Sequence, residues 1–297
     1  VQLWSEQLRC NLRDLLTQKL AGQVEKGSLT EDCLYLDVTI PAAPPPPERA
    51  RPVMVWVHGG SLQSGTGAQY DARDLSVRGD VIVVTVNYRL TAMGFLALPG
   101  MDSTAGAQGL ADQQEALRFV ARNATAFGGD PANVTLFGES GGGVSTCAHL
   151  VAPGSQGLFA RAVVQSAVGA CGYPIEPSAV GRDIPLSSNF QPRAVVETLS
   201  KAAAARLGCT DPATALACAR RLPAERILAE SAGLNLPAVG GTDPILPTGP
   251  AAAIAAGQVS RVPVLQGYTG TEAGYFLAAD ALIGRPLPTP QEYQDLV

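Results

Sequence analysis

The sequence predicts an α/β protein built on a mostly parallel sheet. Three observations carry that expectation. Short runs at Val53 to Val57, Val81 to Val86 and Val134 to Phe137 are apolar but for Thr85 and Thr135. Helical segments alternate with them, and the last run stops abruptly at Gly138-Glu139-Ser140-Gly141-Gly142, after which a helix can form. Strands covered on both faces read as continuous apolar runs, and strand–helix alternation is the pattern of a parallel sheet.

Taken in order, residues 1 to 30 are polar and mixed, with a short helix expected over Leu12 to Leu20. From Cys33 to Ile40 the pattern alternates, with Leu34, Leu36, Val38 and Ile40 on one face and Tyr35, Asp37 and Thr39 on the other. That is a half-buried strand of an edge or antiparallel type. Pro44 to Pro47 make a stiff connection. The best helix lies between Gly106 and Phe127, with Leu110, Leu117, Ala121 and Ala124 on one stripe and Asp112, Glu115, Arg118 and Arg122 elsewhere. After the Ser140 helix come a strand at Ala162 to Gln165 and an irregular stretch from Gly172 to Gln191. Val195, Leu199, Ala203 and Leu207 mark a further helix, and Pro212 and Pro223 stand where first helical turns would begin. A last strand, Val262 to Leu265, leads to Gly267-Tyr268-Thr269-Gly270 and a short helix. Residues 1–297 read as one domain, in which the loop-rich segment 172–250 would form a cap over the sheet's carboxyl end.

The chain has 297 residues, 46% of them hydrophobic, which suffices for a large core. Its formal net charge is −5 and lysine and arginine are not clustered, which argues against a nucleic-acid face. No apolar run approaches the roughly 20 residues that span a bilayer. The six cysteines leave connectivity open. Cys10 with Cys33 and Cys209 with Cys218 are plausible local pairs, against the alternative of buried free thiols. Asn123-Ala124-Thr125 is a glycosylation sequon at a helix end, whereas Asn133-Val134-Thr135 runs into a buried strand. Together these point to an exported protein.

Gly138 to Gly142 is G-x-S-x-G at a strand-to-helix junction, the setting of a nucleophile elbow. Such a turn lifts the Ser140 hydroxyl clear of the sheet and leaves the Gly141 N–H at a helix N-terminus, where a developing oxyanion is favoured. Alone, the motif also fits a glycine-rich turn with an ordinary serine. Val53 to Val57, however, ends in His58-Gly59-Gly60-Ser61, and a glycine turn after an earlier central strand is where the remaining oxyanion donors arise. Gly59 to Ser64 does not fit the G-x-G-x-x-G of a dinucleotide loop. No cofactor and no metal are expected.

Glu31 to Pro41 (EDCLYLDVTIP) and Phe127 to Gly142 (FGGDPANVTLFGESGG) resemble the two signature segments of the type-B carboxylesterase family, which includes the cholinesterases. Segments Val86 to Leu96, Gln108 to Val120 and Leu158 to Ala167 appear in that family's order. The resemblance implies an α/β-hydrolase fold, truncated at both ends, with a mostly parallel central sheet flanked by helices. It implies a Ser-Glu-His triad with an acyl-enzyme on Ser140 and an oxyanion hole at Gly59, Gly60, Ser61 and Gly141. Glu272, in Gly267 to Gly274, would be the triad acid that orients the histidine. Glu139 would lie in the gorge and favour cationic or neutral substrates, and Ser166 would support the site from behind. A small-molecule ester is the implied partner.

The chain's two histidines do not supply the base. His149 is nine residues beyond Ser140 on the same expected helix, about 13 Å along and on the opposite face. His58 begins the oxyanion turn, with its side chain expected to point away from Ser140. The family's histidine lies beyond the acid, so the sequence is expected to be a fragment, inactive by itself. Gly141 stands where the family often has alanine, and Leu62 where an aromatic is common. The tryptophans are Trp4 and Trp56, so the choline-binding tryptophan expected before Cys33 is missing. That favours a general carboxylesterase over a cholinesterase. The competing reading is a non-catalytic, cholinesterase-like adhesion or carrier scaffold.

Overall fold

The computed structural model describes residues 31–43, 49–167, 171, 189–231, 236–241, 243–270, 272, 289 and 291. Strands β2 (Arg51–Val57) and β4 (Gly129–Glu139) contain their apolar runs, β3 (Ile82–Val86) takes all of its run but Val81, and β1 is Leu36–Thr39. Strand β5 is Arg161–Gln165, β6 and β7 are the short pair Phe190–Gln191 and Ala238–Val239, and β8 is Val264–Gly267. Among the described residues the main sheet runs β1-β3-β2-β4-β5-β8. Only β1 is antiparallel to its neighbour there; the β2–β3, β2–β4, β4–β5 and β5–β8 pairs are parallel. This is the mostly parallel sheet expected, with an antiparallel edge strand.

The core sits on the central strands. Val53, Val55, Val57, Ile82, Val84, Val86, Val134, Leu136, Ala162 and Val164 are all buried. Helix α1 is Arg73–Gly79, α2 Thr91–Phe95, α3 Gln108–Asn123 and α4 Gly141–Val151. Helix α4 packs against β4 and β5, and α3 against α2 and β4. Then follow α5 (Arg193–Arg206), α6 (Ala215–Ala219), α7 (Ala224–Ser231) and α8 (Pro250–Ala255).

Several elements depart from the sequence reading. The β1 alternation is shorter than Cys33 to Ile40, and Leu34 and Ile40 are exposed while Leu36 and Val38 pack on the core. Helix α5 keeps only the second half of the expected stripe inward: Ala203 and Leu207 are buried, but Val195 and Leu199 are exposed, and Val196, Ser200 and Ala204 are buried instead. Ser200 Oγ accepts the Ala97 N–H at 2.8 Å, so a polar residue anchors the buried face. The last strand begins at Val264 rather than Val262, because Pro263 has no N–H to give a ladder and supplies only its carbonyl, to Ala162. Pro212 lies in a turn ahead of α6, whose N-cap is Thr214, whereas Pro223 immediately precedes α7. The expected helix over Leu12 to Leu20 lies outside the described residues.

Cys209 and Cys218 are joined. Cys147 on α4 is bonded to Cys171, a pairing that sequence spacing did not single out. Cys33 is buried and disulfide-bonded, while its expected partner Cys10 lies outside the described residues. No helix among the described residues is long and apolar enough to cross a membrane.

Candidate active site

Parallel pairing brings the carboxyl ends of four strands to one level. Val57 of β2 is opposite Gly138 of β4, Glu139 of β4 is opposite Gln165 of β5, and Gln165 is opposite Gly267 of β8. The chain moves from β2 to β3 on one side, then returns to place β4 on the other. A crevice opens at such a switch point, beyond the carboxyl ends of the strands. Into it lead the turn after β2 (His58 to Leu62), the turn after β4 (Ser140) and the segments after β5 (Ser166) and β8 (Tyr268 to Glu272).

Ser140 has φ 53 and ψ −120, a conformation that costs a non-glycine residue roughly 1–3 kcal/mol. It is held by its N–H on the Gln165 carbonyl and by the Val144 N–H on its own carbonyl, at 2.9 and 2.8 Å. The bend is possible only because its neighbours lack side chains. A Cβ on Gly138 would stand 2.5 Å from the backbone of Gly142, and one on Gly142 would stand 1.9 Å from the Val57 carbonyl oxygen. Helix α4 begins at Gly141, which gives its N–H the favourable end of the helix dipole.

The turn after β2 faces that N–H. Gly60, Ser61 and Leu62 have φ of 103, 56 and 60, three successive positive values that make the turn sharp. The Gly60 carbonyl is turned away to accept from the N–H groups of Gln63 and Ser64 at 2.9 and 3.0 Å. A Cβ on Gly141 would lie 3.0 Å from the backbone nitrogens of both Ser61 and Leu62, and one on Gly59 would lie 3.1 Å from Ser140 Cβ. Gly59, Gly60, Ser61, Gly141 and Ser140 therefore cluster at one spot.

Glu272 and Ser166 meet one residue beyond Gln165, whose carbonyl holds the Ser140 N–H. Ser166 Oγ donates to Glu272 Oε1 at 2.5 Å, and the Thr269 N–H donates to the same oxygen at 2.7 Å. Burial pushes the Glu272 carboxyl up, but these two hydrogen bonds and one from the Thr269 side chain outweigh it and hold the group below its ordinary value. Glu139, half-exposed beside the serine, is pushed the other way by burial and by the nearby Glu272 charge. Tyr70, which the sequence reading passed over, stands close to Glu139 and to the Gly59 backbone. Its ring packs 4.8 Å from Trp56, and burial and the Glu139 charge raise its hydroxyl pKa. No sequence pattern around Tyr70 marks it.

Both histidines are engaged elsewhere. His58 is buried and stacked on Tyr88 with ring centroids 4.4 Å apart, its Nδ1 2.8 Å from the Gly59 carbonyl. Its pKa is pushed down to about 4 by burial. His149 is fully buried between Ser155 Oγ (2.9 Å) and Gln113 Oε1 (2.8 Å), with its pKa pushed down to about 3 by burial and then by Arg118. Of the two sequons, Asn123 is half-buried and donates to the Phe119 carbonyl, and Asn133 in β4 accepts from Arg161.

A central parallel sheet with a strained serine turn at its switch point defines the α/β-hydrolase class. Among solved structures the chain is similar to a PNB esterase, with a TM-score of 0.71 and 33% sequence identity, covering 88% of this chain and 51% of that one. The chain belongs to the carboxylesterase family, whose model matches residues 5–286. It is 37% identical to cocaine esterase of Oryctolagus cuniculus over 256 residues, 84% of this chain and 44% of that protein. It is 50% identical to the cholinesterase of Mus musculus over 141 residues, 47% of this chain and 23% of that protein. It is 49% identical to para-nitrobenzyl esterase of Bacillus subtilis (strain 168) over 140 residues, 46% of this chain and 28% of that protein. The chain thus spans less than half the length of these three curated relatives.

Proposed function

We propose that the protein carrying this chain is a serine hydrolase of carboxylic esters that works through an acyl-enzyme on Ser140. The observation that carries the proposal is the meeting of Ser140, held at φ 53, with the left-handed turn Gly60–Leu62. In this reading the Ser140 hydroxyl attacks the ester carbonyl. The N–H groups of Gly60, Ser61 and Gly141 receive the oxyanion, with Gly59 giving them room. Glu272, steadied by Ser166, orients the histidine base. That base is neither His58 nor His149, since each is buried against other partners, so it comes from outside these 297 residues, and the chain by itself is inactive. Glu139 sets a preference for neutral or cationic esters.

Residues 172–250 serve as the cap of a single 1–297 domain, a role supported by the packing of α7 on α2 just beyond β3. The Cys147–Cys171 and Cys209–Cys218 bonds support an extracytoplasmic setting. The test uses the protein containing this chain. An organophosphate is expected to label Ser140 covalently, and Ser140→Ala is expected to abolish both labelling and p-nitrophenyl ester turnover. Turnover that survives Ser140→Ala would exclude the mechanism.

A further inference from the structure

A chain of hydrogen bonds with a single direction runs behind the nucleophile turn. Arg118 Nη2 donates to Gln114 Oε1 at 3.1 Å, and Gln114 Nε2 donates to Ser155 Oγ at 3.0 Å. His149 Nε2 faces Gln113 Oε1, which can only accept, so this nitrogen carries the ring proton and Nδ1 accepts from the Ser155 hydroxyl. Gln113 Nε2 donates to Ser145 Oγ at 3.1 Å, and the Ser145 hydroxyl donates to the Gly141 carbonyl at 3.0 Å. Gln113, Gln114, Ser145, His149 and Ser155 are all buried. Burial that disfavours the imidazolium keeps His149 in the neutral form this direction requires.

The chain ends where support is most needed. Helix α4 opens with Gly141-Gly142-Gly143, three residues with no side chains to pack and little preference for a helix. Side chains one turn on add to the backbone's hold: Ser145 bonds back to the Gly141 carbonyl, and Thr146 to the Gly142 carbonyl at 2.9 Å. A serine hydroxyl is a free rotor unless a donor occupies its oxygen, and Gln113 is that donor. The Gln113 amide is in turn kept from flipping by the His149 Nε2–H.

We infer that His149 and Gln113 are positioning residues for the Gly141 amide. By fixing the Ser145 hydroxyl on the Gly141 carbonyl, they set the turn that offers the Gly141 N–H to the substrate oxygen. The inference rests on the esterase reading above and assigns these residues no contact with substrate.

The test is a double-mutant cycle in the protein containing this chain, with Ser145→Ala, Gln113→Met and the pair. Each single variant is expected to lower kcat for a p-nitrophenyl ester about tenfold, since one misplaced oxyanion donor acts on the transition state alone, with KM held within about twofold. The pair is expected to be no slower than Ser145→Ala, because Gln113 acts through Ser145. In parallel, hydrogen exchange of the Val144 amide, which closes the turn on the Ser140 carbonyl, is expected to quicken about tenfold in each variant, and no further in the pair. Losses that multiply in the pair, or unchanged exchange in Ser145→Ala, would overturn the inference. Absence of ester turnover in the unsubstituted protein would instead count against the esterase reading, and the exchange measurement would still decide the positioning role.

Discussion

Gly142→Ala is the sharpest perturbation of the serine turn. The new methyl would stand 1.9 Å from the Val57 carbonyl oxygen and 2.9 Å from that of His58. Carbon–oxygen contacts settle at about 3.3 Å or more, so the helix and β2 would have to part by roughly 1.4 Å. Neither side can yield by a rotamer change, because both atoms belong to the backbone and Val57 is paired across to Gly138. Overpacking costs about 1–3 kcal/mol where side chains can adjust, and this site falls at the upper end. Alanine's better helix propensity returns about 1 kcal/mol, leaving a net loss of roughly 2 kcal/mol. For a domain of this size that corresponds to a fall in Tm of about 4–8 °C. Activity is expected to fall further than stability, since a displacement of about 1 Å at the Gly141 amide costs on the order of 100-fold in kcat/KM. Circular dichroism melts and p-nitrophenyl ester kinetics read the two effects. Gly249→Ala is the control: Gly249, the N-cap of α8, has φ −60 and a Cβ there would meet nothing within 4 Å, so its replacement creates no clash and is expected to cost no more than about 1 kcal/mol. If Gly142→Ala melts alongside Gly249→Ala with kcat/KM within about threefold of the unsubstituted protein, the close-approach argument fails.

Acid should weaken the fold through its two buried imidazoles. Their folded pKa values, about 4 for His58 and about 3 for His149, lie below the ordinary 6.5, so the unfolded chain takes up protons first. The stability at stake is present above pH 6.5 and is lost as pH falls towards 4 and 3, on the order of a few kcal/mol per histidine. Urea midpoints measured at pH 7 and pH 4.5 check this; equal midpoints would contradict it. Cys147→Ala with Cys171→Ala removes a link closing 24 residues, and is expected to cost about 3 kcal/mol in urea unfolding. Peptide mapping without reductant should find the Cys147–Cys171 cross-link, and free thiols at both positions would refute the pairing.

The central strands and the serine turn were legible because their physics is local. Val53 to Val57 is apolar at every position because the strand is covered on both faces, and the glycines around Ser140 answer a steric demand of the bend itself. What escaped the sequence reading was polar burial. Ser200 sits on the buried face of α5 because its oxygen takes the Ala97 N–H, but a hydropathy pattern scores it as solvent-facing and slips the stripe to Val195 and Leu199. Gln113 and Gln114 are hidden on α3 in the same way, each satisfied by a partner far along the chain. Cys171 finds Cys147 only because β5 returns beside the start of α4, a non-local fact that no cysteine spacing carries. The place of Glu272 came from family likeness rather than from its neighbours, since a lone glutamate at a helix start is ordinary.

The register Val57↔Gly138 sets the two jaws that would grip a substrate at the spacing of adjacent strands, about 4.8 Å apart. That spacing is fixed by main-chain hydrogen bonds in the middle of the sheet, and no side chain of the crevice contributes to it. A half-exposed neighbour such as Tyr70, beside Glu139, can therefore be exchanged to admit a bulkier or more polar guest while the grip itself keeps its shape.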